Sequence, residues 1–319
     1  MTDFFHEIPG NPTPLHATGA FLTARDGKKV RYGLFGATSR PLKGTVIVLP
    51  GRNECIEKYF ETISDLAGRG FSVAITDWRG QGASDRLTRD PQRGHVWSFS
   101  DYARDLDQLF EEVVLPDCRG PYYVLAHSTG SLIALLASPF LVNRVRRMVL
   151  VAPFLTYRGF PLSMRAIHRI ANLLYFLGLG RMYGAWGARP TGGTPFDRNK
   201  LTSDPVRYAR NVLLYDTFPQ LSLGGPTVAW IRAACSAVET VEDADFMARI
   251  QVPILFIGAG ADTVVSTGTT ARFARRLRGS AMLTIDGAKH EILQEADVYR
   301  EQLWAAFDAF VPGSDEPLA

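Results

Sequence analysis

The sequence predicts an α/β fold: a mostly parallel eight-stranded sheet with helices on both faces and an inserted helical cap. Short apolar runs recur along the chain, and most are separated by helix-length segments, which is the pattern of a parallel sheet with crossover helices. One gap, between the run that ends at Val151 and the run that starts at Pro253, is far longer than an ordinary connection. It contains helical patterns but no comparable strand, so we predict that it forms the cap.

The elements follow one another from the N-terminus. An antiparallel hairpin comes first, with strands at 20–23 and 30–35 joined through Asp26 and Gly27. The other strands are predicted at 45–49, 72–76, 122–126, 147–151, 253–257 and 281–285. The crossover helices are predicted at 56–68, 101–114, 130–137 and 268–277. The predicted domains are a first core part with an N-terminal arm (1–153), a helical cap (154–250) and a second core part (251–319).

Composition bounds the class of protein. Of 319 residues, 46% are hydrophobic and 21% charged, so the chain can bury a large core. Its cysteines, Cys55, Cys118 and Cys235, lie far apart and predict neither a disulfide framework nor a CxxC metal site, which favours a reducing compartment. The N-terminus lacks a secretory pattern, and no run approaches the roughly 18 apolar residues of a membrane span. We expect a cytoplasmic protein that could also associate with a membrane.

The charge is unevenly distributed. The chain carries a formal net charge of +3, yet residues 154–235 contain ten basic and three acidic residues, a local charge of +7. Such a basic block favours an anionic lipid, a phosphate or an acidic substrate nearby. A solvated face of ordinary helices explains it equally well, and nucleic acid is not an expected partner.

Ser128 lies between a predicted strand and a predicted helix. A sharp strand-to-helix turn pushes a serine hydroxyl outward and requires small residues two positions before and after it, which are Ala126 and Gly130 here. The pattern matches the GxSxG nucleophile elbow, except that Ala126 replaces the first glycine. The alternative is that Ser128 only caps the following helix.

Two further residues that serine catalysis requires also follow predicted strands. Asp262 lies in a glycine-containing loop after the strand at 253–257, and His290 follows the strand at 281–285. A serine hydroxyl needs a base to remove its proton, and the base needs a carboxylate to orient it. Because ligands bind beyond the carboxyl ends of parallel strands, we expect Ser128, His290 and Asp262 to meet there as nucleophile, base and acid. The chain order Ser, Asp, His is that of α/β-hydrolases.

Simpler alternatives exist for both residues. Asp262 could be a turn aspartate that hydrogen-bonds its own backbone, and His290 could be an ordinary surface histidine. Asp286 is a rival for the acid, but it lies too near His290 in sequence to approach the ring easily from behind.

The strand at 45–49 runs into a turn that suits an oxyanion hole. Acyl transfer builds negative charge on the carbonyl oxygen, and two backbone N–H groups aimed at that oxygen stabilise it. We assign these donors to Thr129, the residue after the nucleophile, and to Arg52. The side chains of Arg52 and Glu54 could line the pocket or form a surface ion pair.

Six segments share a common resemblance. They are 49–54 (LPGRNE), 77–84 (DWRGQGAS), 93–96 (RGHV), 126–130 (AHSTG), 262–265 (DTVV) and 288–291 (AKHE). Together they resemble the monoacylglycerol lipase and bacterial lysophospholipase branch of the α/β-hydrolases, a group of serine aminopeptidase-like hydrolases. The match departs at Pro50, where family members usually have histidine. The resemblance implies hydrolysis of a long or medium-chain carboxylic ester through an acyl-enzyme, without cofactor or metal.

The cap is the expected specificity element. Apolar residues recur at helical spacing within 162–179, with basic residues between them, which predicts an amphipathic helix. Such a helix could shelter an acyl chain, settle on a membrane surface or simply pack on the core. We predict an apolar tunnel with a basic rim and a lysophospholipid or other anionic monoacyl substrate. The candidate substrate-binding residues are Phe154, Tyr157, Tyr175 and Trp186.

The same fold also supports other functions. A general carboxylesterase needs the same residues. A proline-type aminopeptidase needs an acidic site for the substrate amine, against which the basic cap argues. Dehalogenases and epoxide hydrolases need aspartate at position 128, and non-catalytic relatives commonly lose a triad member, whereas none is missing here.

Overall fold

The eight strands lie in one sheet. The computed structural model describes residues 4–158, 161–185, 187 and 193–311. The strands are β1 (Ala17–Thr23), β2 (Lys29–Phe35), β3 (Gly44–Leu49), β4 (Phe71–Thr76), β5 (Tyr122–His127), β6 (Val145–Val151), β7 (Ile254–Ala259) and β8 (Ser280–Ile285). Their order is β1-β2-β4-β3-β5-β6-β7-β8. β2 runs antiparallel to β1 and β4, and the other neighbouring pairs are parallel. The predicted mostly parallel sheet is confirmed.

Helices cover both faces of the sheet. Those of the described chain are α1 (Phe60–Gly68), α2 (Phe99–Leu109), α3 (Leu115–Asp117), α4 (Thr129–Leu141), α5 (Met164–Leu174), α6 (Pro205–Thr217), α7 (Val228–Glu242), α8 (Ala244–Met247), α9 (Thr267–Arg276) and α10 (Asp297–Phe310). A 3₁₀ turn (Ile56–Tyr59) precedes α1, and π-helical turns follow α2 (Phe110–Val114) and α5 (Tyr175–Leu179).

The hydrophobic core consists of two layers separated by the sheet. Successive side chains of a strand point to opposite faces, and β3 shows the consequence. Ile47 and Leu49 pack in the layer that contains α2 and α4, whereas Val46 and Val48 pack in the layer that contains α1 and α10. All four side chains are fully buried, so the central strands form a rigid platform for the loops at their carboxyl ends.

The segment between β6 and β7 is helical where the structure describes it. It contributes α5 to α8, and α7 packs against both α4 and α5. The predicted amphipathic helix at 162–179 is present as α5 and its π-helical turn, which breaks at Gly178, where φ is 81°. None of the described helices has the length and apolar character needed to span a membrane.

Candidate active site

Ser128 occupies the sharp turn between β5 and α4. Its φ of 51° and ψ of −114° are rare for a residue with a Cβ atom. The turn is held from both sides, because the Ser128 N–H donates to the Val151 carbonyl (2.9 Å) and the Phe154 N–H donates to the Ser128 carbonyl (3.1 Å). Such a conformation persists only where its surroundings impose it, and here it aims the hydroxyl away from the sheet.

His290 and Asp262 continue a hydrogen-bonded chain from Ser128. His290 follows β8 and Asp262 follows β7. Nε2 of His290 lies 3.1 Å from Oγ of Ser128, and Nδ1 lies 2.8 Å from Oδ2 of Asp262. All three residues are buried, Asp262 completely. The structure therefore brings together the three residues predicted from the sequence, in the arrangement that serine–histidine–carboxylate chemistry requires. Asp286, the rival for the acid, is exposed.

Asp262 is fixed by its own loop as well as by His290. Its Oδ1 accepts hydrogen bonds from the N–H groups of Val264 and Val265, at 2.7 and 2.9 Å. It is thus a turn aspartate and a histidine partner at once. Burial raises the pKa of Asp262, but the hydrogen bond and charge of His290, with the two N–H groups, outweigh burial, and the pKa falls below its ordinary value. The guanidinium of Arg158 also donates to the Asp262 carbonyl.

The loop after β3 lies against the turn that holds Ser128. A Cβ atom on Gly130 would lie 2.2 Å from a carbonyl oxygen at the end of β3, so the two segments touch through their backbones. Two side chains fix the loop. Nε1 of Trp78 donates to the Pro50 carbonyl (2.8 Å), and Nε2 of Gln81 donates to the Gly51 carbonyl (2.9 Å).

The two predicted oxyanion donors belong to residues that line the same cavity as Ser128. Arg52 and Thr129 line one cavity together with Ser128 and His290. Within the described part of the chain, neither the Arg52 nor the Thr129 backbone N–H donates to an acceptor. Both groups are therefore available to an oxygen atom of a bound molecule.

The cavity beside Ser128 has a volume of about 340 Å³ and combines aromatic with polar walls. Phe154 and Tyr157, two of the predicted substrate-binding residues, line it, and so does Trp230, which sequence reasoning missed. Trp230 lies far from the catalytic segments in sequence and has no motif around it. Only its position on α7, packed over the core, brings it to the site.

A second cavity, of about 210 Å³, is almost entirely apolar. It is lined by residues of α5 and α7, and Tyr157 borders both cavities. Tyr175 lines neither of them, since its ring packs against Trp97 and beneath the guanidinium of Arg232. The fourth predicted substrate-binding residue, Trp186, lies outside the described residues.

A buried ionic cluster (Glu54, Lys58, His127 and Glu291) adjoins the site. Nζ of Lys58 lies 2.9 Å from Oε1 of Glu54 and 2.6 Å from Oε1 of Glu291. The sequence allowed either a surface ion pair of Arg52 with Glu54 or a place for both in the pocket lining; both side chains line the cavity, and Glu54 pairs with Lys58 in the interior. The spacing of Glu54 and Lys58, four residues apart, was an available signal for it.

His127 links this cluster to the base. Its Nδ1 lies 3.1 Å from Oε2 of Glu54 and its Nε2 lies 3.2 Å from the carbonyl oxygen of His290. Burial lowers the pKa of His127, but the Glu54 carboxylate raises it further, and the pKa lies above its ordinary value. Since both ring nitrogens face oxygen acceptors, the protonated imidazole satisfies both contacts. His127 therefore helps to hold the backbone of His290.

Metal ligands do not converge anywhere in the described chain. Among its residues, no group of three histidine, cysteine, aspartate or glutamate side chains is arranged to hold a metal ion.

Comparisons with known proteins show the family of the chain. The family model described as serine aminopeptidase, S33, matches residues 40–297. Lysophospholipase L2 from Escherichia coli is 34% identical over 315 residues, which cover 91% of this chain and 86% of that protein.

Solved structures share the fold at lower identity. Monoglyceride lipase from Saccharomyces cerevisiae superposes with a TM-score of 0.73 at 17% identity, covering 93% of this chain and 96% of that one. Monoacylglycerol lipase from Paleococcus ferrophilus gives 0.68 at 22% identity, covering 88% and 98%. The α/β-hydrolase fold is thereby confirmed. The chain belongs to the serine aminopeptidase (S33) family of hydrolases, in its lysophospholipase and monoacylglycerol lipase branch.

Proposed function

We propose that this serine hydrolase cleaves the carboxylic ester of monoacyl lipids, lysophospholipids or monoacylglycerols, through an acyl-enzyme on Ser128. The observation that carries the proposal is the hydrogen-bonded chain from Ser128 through His290 to Asp262. It lies at the wall of a cavity that shares the lining residue Tyr157 with an almost wholly apolar cavity. The names of the related lysophospholipase and lipases support the same substrate class.

The first half of the reaction transfers the acyl group. Oγ of Ser128 attacks the ester carbonyl carbon while Nε2 of His290 accepts the hydroxyl proton. The negative charge on the former carbonyl oxygen accepts hydrogen bonds from the backbone N–H groups of Arg52 and Thr129. The carbon–oxygen bond to the glycerol then breaks, and His290 gives its proton to the leaving alcohol oxygen.

The second half releases the fatty acid. Water attacks the acyl-serine ester, His290 accepts a proton from the water, and the carbon–oxygen bond to Ser128 breaks as His290 returns that proton to Oγ. Asp262 remains ionised throughout, because its lowered pKa keeps it charged at neutral pH, and it stabilises the imidazolium that forms twice in each turnover. Hydrolysis needs nothing beyond these residues and water.

The aminopeptidase alternative lacks support from the charges of the cavity. A substrate amine would require an unneutralised carboxylate. Glu54 and Glu291 line the cavity, but both are bound to the ammonium group of Lys58. A general carboxylesterase would use the same mechanism on esters with shorter acyl chains. The apolar cavity favours a substrate with a longer acyl chain.

We further propose peripheral contact with a lipid surface through an apolar patch on the cap. The patch comprises the exposed residues Leu162, Ile170, Leu173, Phe176, Leu177 and Met182. Arg165, Arg169 and Arg181 lie exposed among them and would face anionic headgroups. The same α5 helix lines the apolar cavity, so an acyl chain could pass from the lipid surface towards Ser128.

A lipid panel tests the proposed activity. Purified protein is expected to release fatty acid from 1-decanoyl lysophosphatidylethanolamine or 1-decanoylglycerol, and Ser128→Ala is expected to lose at least about a thousandfold in kcat while it keeps the wild-type Tm. A matched control is Ser100→Ala, which removes an exposed hydroxyl of α2, a helix that contributes no residue to the wall of the cavity beside Ser128. Cleavage of short p-nitrophenyl esters with no activity on any monoacyl lipid would contradict the substrate class.

A further inference from the structure

Arg52 carries a guanidinium group that no carboxylate of the described chain neutralises. Nη2 donates to the Gly224 carbonyl, and the guanidinium lies 5.5 Å from the centre of the Trp230 ring. Its Nε is shielded from solvent and has no acceptor among the described residues. A half-buried cation without a counter-charge is costly, so its retention in a binding cavity points to an anion supplied by a ligand.

The other cationic groups lining the cavity already have anionic partners. Lys58 lies between the carboxylates of Glu54 and Glu291, and His127 lies against Glu54. These two cations and two carboxylates balance one another. Among the described residues that line the cavity, Arg52 is therefore the cation left for a ligand.

We propose that the Arg52 side chain forms a phosphate subsite, which binds the phosphodiester of a lysophospholipid while Ser128 attacks its ester. The inference rests on the proposed function and deepens it by naming the group that selects the head group. In a lysophospholipid the phosphate is separated from the ester by one glycerol unit, so its binding group has to share a cavity with the nucleophile. Arg52 and Ser128 do so.

Guanidinium chemistry and the position of the side chain both suit this role. Guanidinium is weakly hydrated and presents several N–H donors in a plane, which matches the oxygens of a phosphate. The side chain is also held in place, since Gly224 and Trp230 contact it and a Cβ atom on Gly94 would lie 2.8 Å from Nη2. A donor that is already positioned loses little conformational entropy on binding.

The decisive measurement is a ratio of specificity constants. For each protein, kcat/KM is measured on 1-decanoyl lysophosphatidylethanolamine and on two neutral esters, 1-decanoylglycerol and p-nitrophenyl decanoate. In Arg52→Gln the ratio of the phosphate-bearing substrate to the neutral esters is expected to fall about 10- to 100-fold, because a hydrogen bond to a charged group is lost. Arg52→Lys, which keeps the charge but not the planar donors, is expected to lie between.

Controls separate this role from others. Arg198→Gln removes an exposed cation of the basic segment (residues 154–235) and is expected to leave the ratio unchanged. That result would exclude long-range attraction as the cause of the Arg52 effect.

A competition experiment provides a second test. Inhibition of lysophospholipid hydrolysis by sn-glycero-3-phosphoethanolamine that is weaker in Arg52→Gln than in wild type would support the subsite. Equally strong competition by inorganic phosphate would assign the site to free phosphate and overturn the head-group proposal.

A failure of the phosphate subsite can be distinguished from a failure of the proposed function. If wild type cleaves the lysophospholipid and Arg52→Gln leaves the ratio unchanged, the phosphate subsite is wrong while the proposed function stands. If wild type cleaves p-nitrophenyl decanoate but no monoacyl lipid, the proposed function itself is wrong.

Discussion

The turn around Ser128 leaves no space for a side chain two residues later. A Cβ atom on Gly130 would approach carbonyl oxygens of the β3 end to 2.2 and 2.6 Å. Both are backbone atoms of a rigid segment, so relief would require moving either the loop after β3 or the turn that holds Ser128. The close packing of this turn is thus a condition for the geometry of the site.

We predict that Gly130→Ala lowers the free energy of unfolding by about 2 kcal/mol or more and reduces esterase activity at least about tenfold. Urea denaturation and initial rates measure the two effects. Gly68→Ala is the matched control, because a Cβ atom there meets no neighbour within 4 Å and alanine favours the α1 helix. Wild-type stability and activity in Gly130→Ala would show that the contact is not constraining.

The sequence predicted the hydrogen-bonded set of Ser128, His290 and Asp262 better than its surroundings. Ser128, Asp262 and His290 could be located because each follows a recognisable strand. Ala126, which replaces the usual glycine of the motif, is a fully buried residue of β5 within the core. The ionic cluster could not be located, since it joins Glu54 and Lys58 to Glu291, more than 200 residues later in the chain.

Several helices are joined by one carboxylate of α1. Glu61 pairs with Arg207 and Arg210 of α6 at 2.6 and 2.8 Å, and with Arg300 of α10 at 2.8 Å. Burial raises the pKa of Glu61, but the arginines outweigh burial and lower the pKa from 4.5 to about 2. Glu61 thereby connects a helix of the insertion to the core.

The lowered pKa gives this link a defined pH dependence. The stabilisation by Glu61 is fully present above its ordinary pKa of 4.5 and is lost as the pH falls towards about 2. We predict that Glu61→Gln is less stable than wild type by about 1–2 kcal/mol near pH 7, after allowance for solvent screening, and that roughly half of this difference is lost near pH 3. Denaturant titrations at both pH values measure it.

An exposed ion pair provides the control for that experiment. Asp197 and Arg198 are 77% and 80% exposed at 4.0 Å, so Asp197→Asn should change stability by less than about 0.5 kcal/mol. A constant difference between Glu61→Gln and wild type across the pH range would contradict the assigned pKa direction.

The observed ends of strands and helices show which of them the sequence could predict. The parallel strands were predicted to within about two residues, because buried strands are short apolar runs flanked by turn residues. The helix predicted at 162–179 ends sooner as a regular α-helix, since α5 passes into a π-helical turn that breaks at Gly178. Periodicity predicts such a helix but does not distinguish α from π turns.

Contacts with the rest of the molecule determine which charges of the basic segment (residues 154–235) face solvent. Arg207 and Arg210 both pair with Glu61, and Arg207 also pairs with Asp204 and Asp297. Arg232 stacks on Tyr175 and donates a hydrogen bond to Asn172. A charge count could not predict these pairings, because most of their partners lie on other elements. The charge still facing solvent lies partly on α5 and beyond it, around the apolar patch, while the cation in the cavity, Arg52, comes from outside the segment.

The proposed membrane contact through the apolar patch leads to a testable prediction. The double variant Phe176→Ser/Leu177→Ser removes two side chains that are 78% and 65% exposed, and we expect it to bind anionic phosphatidylglycerol vesicles at least about tenfold more weakly. Vesicle co-sedimentation measures the binding. Val298→Ser, which removes an exposed apolar side chain of α10, should bind as wild type does. Unchanged binding of the double variant would contradict membrane contact through the patch.

We propose that Ser128 is the nucleophile and that His290 and Asp262 activate it. Covalent labelling with a fluorophosphonate probe, followed by mass spectrometry of the labelled peptide, tests it most directly. We predict a single adduct on Ser128, no labelling of Ser128→Ala, and labelling slowed at least about a thousandfold in His290→Ala. An adduct on another residue, or labelling of Ser128→Ala at the wild-type rate, would contradict the claim.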